Sequence, residues 1–150
     1  MPTPDPIEAA KRRSTAQLLF RAARLWNDAA IARLNARGIP VKQAHTRLFP
    51  HLDFEGRRVV ELAADAGISK QAVSRTLQEL EAMGVVERVA DPTDGRAQQV
   101  RYSSRGGEAI LHGLAELGAM EEQLAARVGR DRMDQLRTTL AVLVDVLEPE

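Results

Sequence analysis

Val60-Glu61-Leu62-Ala63-Ala64-Asp65-Ala66-Gly67-Ile68-Ser69, running on into Lys70-Gln71-Ala72-Val73-Ser74-Arg75-Thr76-Leu77-Gln78, is the stretch whose reading decides the fold. It reads as a short helix, a tight turn and the start of a second helix. Ala63 is small, as a close crossing of two helices requires. Gly67 falls where the turn needs a positive φ. Ile68 plugs the corner, Ser69 is a good N-cap, and Val73 points back inward. This is the spacing of a helix-turn-helix.

Winding Ser69 to Met83 at 100° per residue separates two faces. Ala72, Val73, Thr76, Leu77, Leu80 and Met83 share one arc, expected to be buried. Lys70, Gln71, Ser74, Arg75 and Gln78 occupy the opposite arc and carry groups that bond base edges or phosphates. The plainer reading is an ordinary solvated face. The segment beyond Gly84 favours the sharper one. Val85-Val86-Glu87-Arg88-Val89, a turn at Asp91-Pro92-Thr93-Asp94-Gly95-Arg96, then Gln98 to Tyr102 make the pattern of a β-hairpin. An arginine at such a tip suits a narrow minor groove, with Asp94 bonding tip amides or bracing the guanidinium. The same residues would also make a plain turn.

Outward from this unit the pattern is helical. Leu18, Ala22, Leu25, Ala29 and Ala32 repeat at spacings of 4 and 3, and Arg37-Gly38-Ile39-Pro40 ends that helix. A short helix is expected near Val41 to Phe49. Beyond the hairpin, Ser103 or Ser104 caps a long helix through Ile110 to Val128, whose first turn Gly106-Gly107 weakens. Gly129 breaks it, and Asp131 opens a last helix with a seam of Met133, Leu136, Leu140, Leu143 and Leu147. That much apolar seam around a unit of this size points to a second copy of the chain; an intramolecular three-helix bundle is the alternative.

The expected architecture is one domain over 1–150, mainly α with a small β-wing. It comprises a flexible lead-in at 1–10, a winged helix-turn-helix at 56–103, and dimerisation helices with a linker at 11–55 and 104–148. The lead-in is inferred from prolines at positions 2, 4 and 6, which oppose both helix and ladder.

Composition limits what else the chain does. Apolar residues make up 44% and aromatics 3%, so aliphatic side chains must build the core. With 21 basic and 21 acidic side chains the formal net charge is zero, so affinity for nucleic acid must come from where charges sit. The absence of cysteine excludes disulfides and thiolate sites and suits a reducing cytoplasm. No apolar run serves as a signal peptide or membrane span. No phosphate loop or nucleophile elbow suggests an enzyme or a cofactor. His45, His51 and His112 lack the spacing of a helical metal pair.

From about Leu18 to Leu147 the chain resembles the MarR family of winged-helix transcription regulators. The resemblance lies in Glu61-Leu62-Ala63, Gly67-Ile68-Ser69-Lys70-Gln71-Ala72-Val73-Ser74, Leu77 with Glu79-Leu80-Glu81 and Gly84, Val86-Glu87-Arg88, Asp91-Pro92-Thr93-Asp94-Gly95-Arg96, and the Ser103-Ser104-Arg105-Gly106 step. It implies a homodimer held by the first and last two helices, binding pseudo-palindromic double-stranded DNA. It further implies repression, with release by a small anionic or aromatic effector. Two positions depart from the family: Gly95 replaces the first arginine of its Asp-Arg-Arg wing, and Arg58 stands where a capping Ser or Thr is usual.

The expected DNA-binding residues are Arg58, Ser69, Lys70, Gln71, Ser74, Arg75, Gln78, Asp94 and Arg96. An effector pocket between the first two helices and the winged unit would draw on Trp26, His45 and Phe49, with His51 and Phe54 nearby; the plainer reading makes Trp26 and Phe49 core and His45 a surface or capping residue. The rival function is a winged helix used as a protein-interaction module without DNA contact. Carboxylates on the outward arc would have favoured it, and Lys70, Arg75 and Arg96 oppose it.

Overall fold

The computed structural model describes residues 5–148. Its elements run α1 Pro6–Arg13, α2 Thr15–Ala36, α3 Gln43–Leu48, a 3-10 turn Phe49–His51, α4 Val59–Ala66, α5 Lys70–Ala82, β1 Val86–Ala90, β2 Gln98–Tyr102, α6 Ser104–Val128 and α7 Arg130–Leu147. The chain divides between His112 and Gly113 into two compact units.

The lead-in expected at 1–10 is helical from Pro6 onward, while residues 1–4 lie outside the described residues. Pro6 sits in the first turn of α1, where a missing N–H costs nothing. Asp5 caps the turn by accepting from the Ile7 amide at 2.9 Å. Ser14 then ends α1 and caps α2.

In the first unit, Leu48, Leu52, Leu62, Ala63, Val73, Leu77, Leu80, Val86, Val100 and Tyr102 form one buried core. α3 and α4 pack on α5, and α5 on β1. Gly67 adopts φ +63° at the end of α4, turning the chain from α4 into α5 as the sequence requires. The hairpin is antiparallel, with Val86 opposite Tyr102 and Ala90 opposite Gln98. Its first strand lies one residue later than expected. Arg57 exchanges two backbone hydrogen bonds of 2.9 Å with Val100, adding a one-residue rung to the sheet.

Tyr102 ties the sheet to the segment after α3: its hydroxyl donates to the Phe49 carbonyl at 3.0 Å. Burial, with a smaller contribution from the Asp53 carboxylate, pushes its phenol up to about 12. It therefore stays a donor across the physiological range.

Of the two glycines expected to weaken the start of α6, Gly106 is there for space. Ser103 caps the helix, accepting from the Gly106 amide at 2.9 Å and donating to the Gly84 carbonyl at 2.6 Å. A β-carbon on Gly106 would stand 1.7 Å from the Val85 carbonyl oxygen, and one on Gly107 would stand 2.5 Å from the Phe54 ring. Close approach of α6 to the Val85 backbone thus demands glycine at 106, whereas the exposed Phe54 ring is free to swing away from a side chain at 107.

In the second unit, Met120, Ala125 and Met133 are buried. Glu122 pairs with Arg130 at 2.6 Å and Glu121 with Arg137. α7 opens at Arg130 after Gly129, one residue before the expected Asp131. Leu136, Leu143 and Leu147 of its seam are exposed in the single chain. No helix among the described residues is long and apolar enough to cross a membrane.

Gly106→Ala should destabilise the first unit by about 1–3 kcal/mol or more, because the clash is with backbone that cannot rotate away. Gly118→Ala is the control, since a β-carbon there meets nothing within 4 Å. That change should be neutral or stabilising by up to about 1 kcal/mol. Urea unfolding of the two variants checks the contrast.

Candidate nucleic-acid interface

The core orients α5. Val73, Thr76, Leu77 and Leu80 are buried, which turns Lys70, Gln71, Arg75 and Gln78 to solvent. These four side chains form no hydrogen bond or ion pair with a described residue. Ser69 uses its Oγ for the cap, accepting from the Ala72 amide at 3.2 Å. Ser74 is half-buried rather than fully outward, and Ala72, expected inward, is exposed. Ala72 lies on the flank of the helix, where its neighbour is α3 and not the core.

Both flanks of α5 are held by its own carboxylates. On one side Glu79 accepts from the Lys42 ammonium at 2.9 Å and lies 3.3 Å from His45 Nε2. Lys42 and then His45 hold its carboxyl below the usual range. On the other side Glu81 accepts from Arg88 Nε of β1 at 3.2 Å. The two acids expected near the far end of this helix are therefore both neutralised by neighbouring elements.

The wing is organised by Asp91, only 3% exposed at its root. One carboxylate oxygen accepts from the Thr93 amide at 2.8 Å, the Thr93 hydroxyl at 2.7 Å and the Asp94 amide at 3.2 Å. The other accepts from Arg58 Nε at 2.5 Å and Gln99 Nε2 at 3.4 Å. The Arg58 guanidinium, with the Thr93 hydroxyl and amide, holds the Asp91 carboxyl far below the usual carboxylate range. Sequence reading places Asp91 at the tip and gives it no role; the leading Asp of an Asp-Pro-Thr-Asp turn is the signal available for it.

Arg58, expected to touch DNA, has its Nε committed to this anchor. Its backbone N–H donates to Glu61 at 2.9 Å, so the cap of α4 comes from Glu61 and not from residue 58. Asp94 does bond a tip amide, that of Arg96, at 3.1 Å. The Arg96 side chain is exposed. Gly95 has no positive φ, and a β-carbon there meets nothing within 4 Å, so the backbone does not demand glycine at this departure from the family.

The three effector candidates are not brought into one open site. His45 is 1% exposed: Nδ1 accepts from the Lys42 amide at 3.3 Å, which leaves the proton on Nε2 facing Glu79. It works as a joint between α3 and α5. Phe49 is half-buried, with its ring centroid 6.2 Å from that of His45. Trp26 is exposed on α2 and belongs to neither ring pair found among the described residues.

Helix, turn, core-facing helix and a two-stranded wing over residues 57–102 define a winged helix-turn-helix protein. Residues 40–97 match the family model described as MarR family. The fold is similar to that of the transcriptional repressor CouR bound to a 23-mer DNA duplex, with TM-score 0.72, 21% identity and coverage of 89% of this chain and 94% of that one. It is also similar to CouR from Rhodococcus jostii RHA1 bound to p-coumaroyl-CoA, with TM-score 0.67, 21% identity and coverage of 93% and 98%. A MarR-family transcriptional regulator from Silicibacter pomeroyi matches with TM-score 0.68, 19% identity and coverage of 97% and 98%. Comparison with curated proteins gives no match. The resemblance to the MarR family therefore holds, in sequence over residues 40–97 and in fold over most of the chain.

Asp91→Asn tests the wing anchor. A carboxyl whose folded value lies below its ordinary one, about 3.9, adds stability above that value and loses it as pH falls toward the folded value. The stability gap between wild type and variant should be full at pH 7 and shrink steadily from about pH 4 toward pH 2. A gap that stays flat over that range in urea unfolding would show that the charge of Asp91 anchors nothing.

Proposed function

We propose that the protein is a homodimeric regulator that binds pseudo-palindromic double-stranded DNA in the cytoplasm and represses nearby genes. The observation that carries this reading is the outward arc of α5. Two cations and two amides stand there without partners among the described residues, beside a wing whose arginine-bearing tip is held at its root by a buried aspartate. Unpaired donors on a helix face are what base edges and phosphates accept. A module for protein contact would not need both carboxylates of α5 neutralised. The DNA-bound state of CouR supports the assignment.

The second copy answers the exposed apolar surface. Leu18, Leu19, Phe20 and Leu25 of α2, and Leu136, Val142, Leu143 and Leu147 of α7, lie open in the single chain. Patches of this kind on a monomer mark contact surfaces. Met133, expected in the seam, is used within its own unit.

Release by a small aromatic or anionic ligand completes the proposal, and the p-coumaroyl-CoA complex of CouR supports it. Trp26 and Phe49, which do not share one open site in the free chain, would supply its apolar walls once the ligand draws them together. His45 would first have to give up Lys42 and Glu79, so an effector that reaches it would loosen α3 from α5. Such a ligand shifts DNA binding only by its differential affinity for the two arrangements.

Leu140→Glu should give monomer by light scattering, since burying leucine in such a seam is worth about 2–5 kcal/mol; a folded dimer would contradict the interface. For DNA, selection of duplexes from a randomised pool gives the operator preference. Arg75→Ala should cost about 1–3 kcal/mol and relax preference at one position. Arg96→Ala should weaken all duplexes evenly. If Arg75→Ala leaves both affinity and preference unchanged, α5 does not read the groove.

A further inference from the structure

We propose that Arg47 of α3 is a further DNA contact, binding a backbone phosphate beside the groove that α5 enters. This inference rests on the DNA-binding reading above.

α3 runs along one flank of α5 and is fastened there by the Lys42 and His45 contacts to Glu79. An open depression of about 280 Å³ lies between the two helices, walled by Gln43, Ala44 and Arg47 on one side and by Ala72 and Thr76 with Ile68 on the other. Ala72 lies about 60° round the helix from Arg75 and adds only a methyl group to its wall. Arg47 is exposed, and its guanidinium has no hydrogen bond or ion pair with a described residue. Gln43, on the same wall, has its amide committed to Asp28 at 3.3 Å. The carboxylate that α5 offers to α3 is already taken by Lys42 and His45. Arg47 is therefore a cation on the α5 flank with no internal use among the described residues.

A helix with its side chains is about 10–12 Å across and nearly fills a major groove about 12 Å wide. Its flanks then face the phosphate walls and not the bases. A guanidinium at that place meets phosphate oxygens in the planar, two-pronged geometry it is suited to. The contact fixes position on the duplex and carries no sequence information. It also places the joint of α3 and α5 against the DNA backbone, so α3 follows α5 into register.

The test uses the full chain with the duplex that wild type selects from a randomised pool, titrated by fluorescence anisotropy at 50 and 200 mM salt. One phosphate contact contributes a slope of about 0.9 in log affinity against log salt. Arg47→Ala should reduce the affinity drop across that range by about 3.5-fold per protomer, with the selected sequence unchanged. Arg47→Lys should keep most of the slope. The site is exposed, so both variants should fold, and circular dichroism checks it. A wild-type slope in Arg47→Ala overturns the proposal, as does altered preference at a single base pair. If wild type selects no duplex, the DNA-binding reading falls and this inference with it; if wild type binds and Arg47→Ala matches it, this inference falls alone.

Discussion

Burial of Val73, Leu77 and Leu80 governs everything the surface of this protein can do. Each of these side chains is fully enclosed, and each contributes about 1.5–3 kcal/mol by leaving water. Turning α5 by a single residue would expose part of that set and bury charge in its place. The outward arc is therefore a consequence of the core, and Lys70, Gln71, Arg75 and Gln78 need no further device to face solvent. What the core cannot do is fix the tilt and slide of the helix. Glu79 and Glu81 do this from the two flanks, through α3 and β1.

The wing poses the opposite problem, since a two-stranded ribbon has little core of its own. Its position is set by a polar anchor. Asp91 gathers the amide and hydroxyl of Thr93, the Asp94 amide, Gln99 and a guanidinium from the start of α4. The Arg58 contact links the hairpin to the first helix of the helix-turn-helix, so wing and α5 are held by one connected framework. Arg58 is better placed as a strut in that framework than as a hand on DNA.

Much of this is legible in the sequence, because period and turn chemistry are local. Gly67 and Ser69 announce the turn and cap, the 100° wheel separates the faces of α5, and Asp-Pro-Gly composition announces the hairpin. Sequence and structure part where a distant element decides. The wheel angle puts Ala72 inward, but its side of the helix faces α3 across an opening. Gly106 reads as a weak helix start until the Val85 backbone stands against it. His45 reads as a ligand group because nothing in its neighbourhood along the chain names Glu79, 34 residues away, as its partner. Pro6 reads as a helix breaker, although the first turn is the one place where a proline fits.

A formal charge of zero is an objection to nucleic-acid binding, and the pattern of ion pairs removes it. Asp65 with Arg57, Asp91 with Arg58, Glu81 with Arg88 and Glu87 with Arg101 are paired within the winged unit, and Glu79 is paired with Lys42 at the start of α3. Apart from the buried Asp91–Arg58 anchor, exposed pairs of this kind add little to stability, about 0–1 kcal/mol each. Their larger effect is on the field: the opposite charges of a close pair largely cancel at distances well beyond their separation, and salt screens what remains over about 8–10 Å. Near α5 and the wing tip, Lys70, Arg75, Arg96, Arg47 and Arg105 have no ion pair among the described residues, against the unpaired carboxylate of Asp94 at the tip. A neutral protein thus presents a local cationic surface without long-range attraction to DNA at large. Under the proposed DNA-binding role, that arrangement would keep non-specific binding weak and leave discrimination to the few contacts made once the helix is seated.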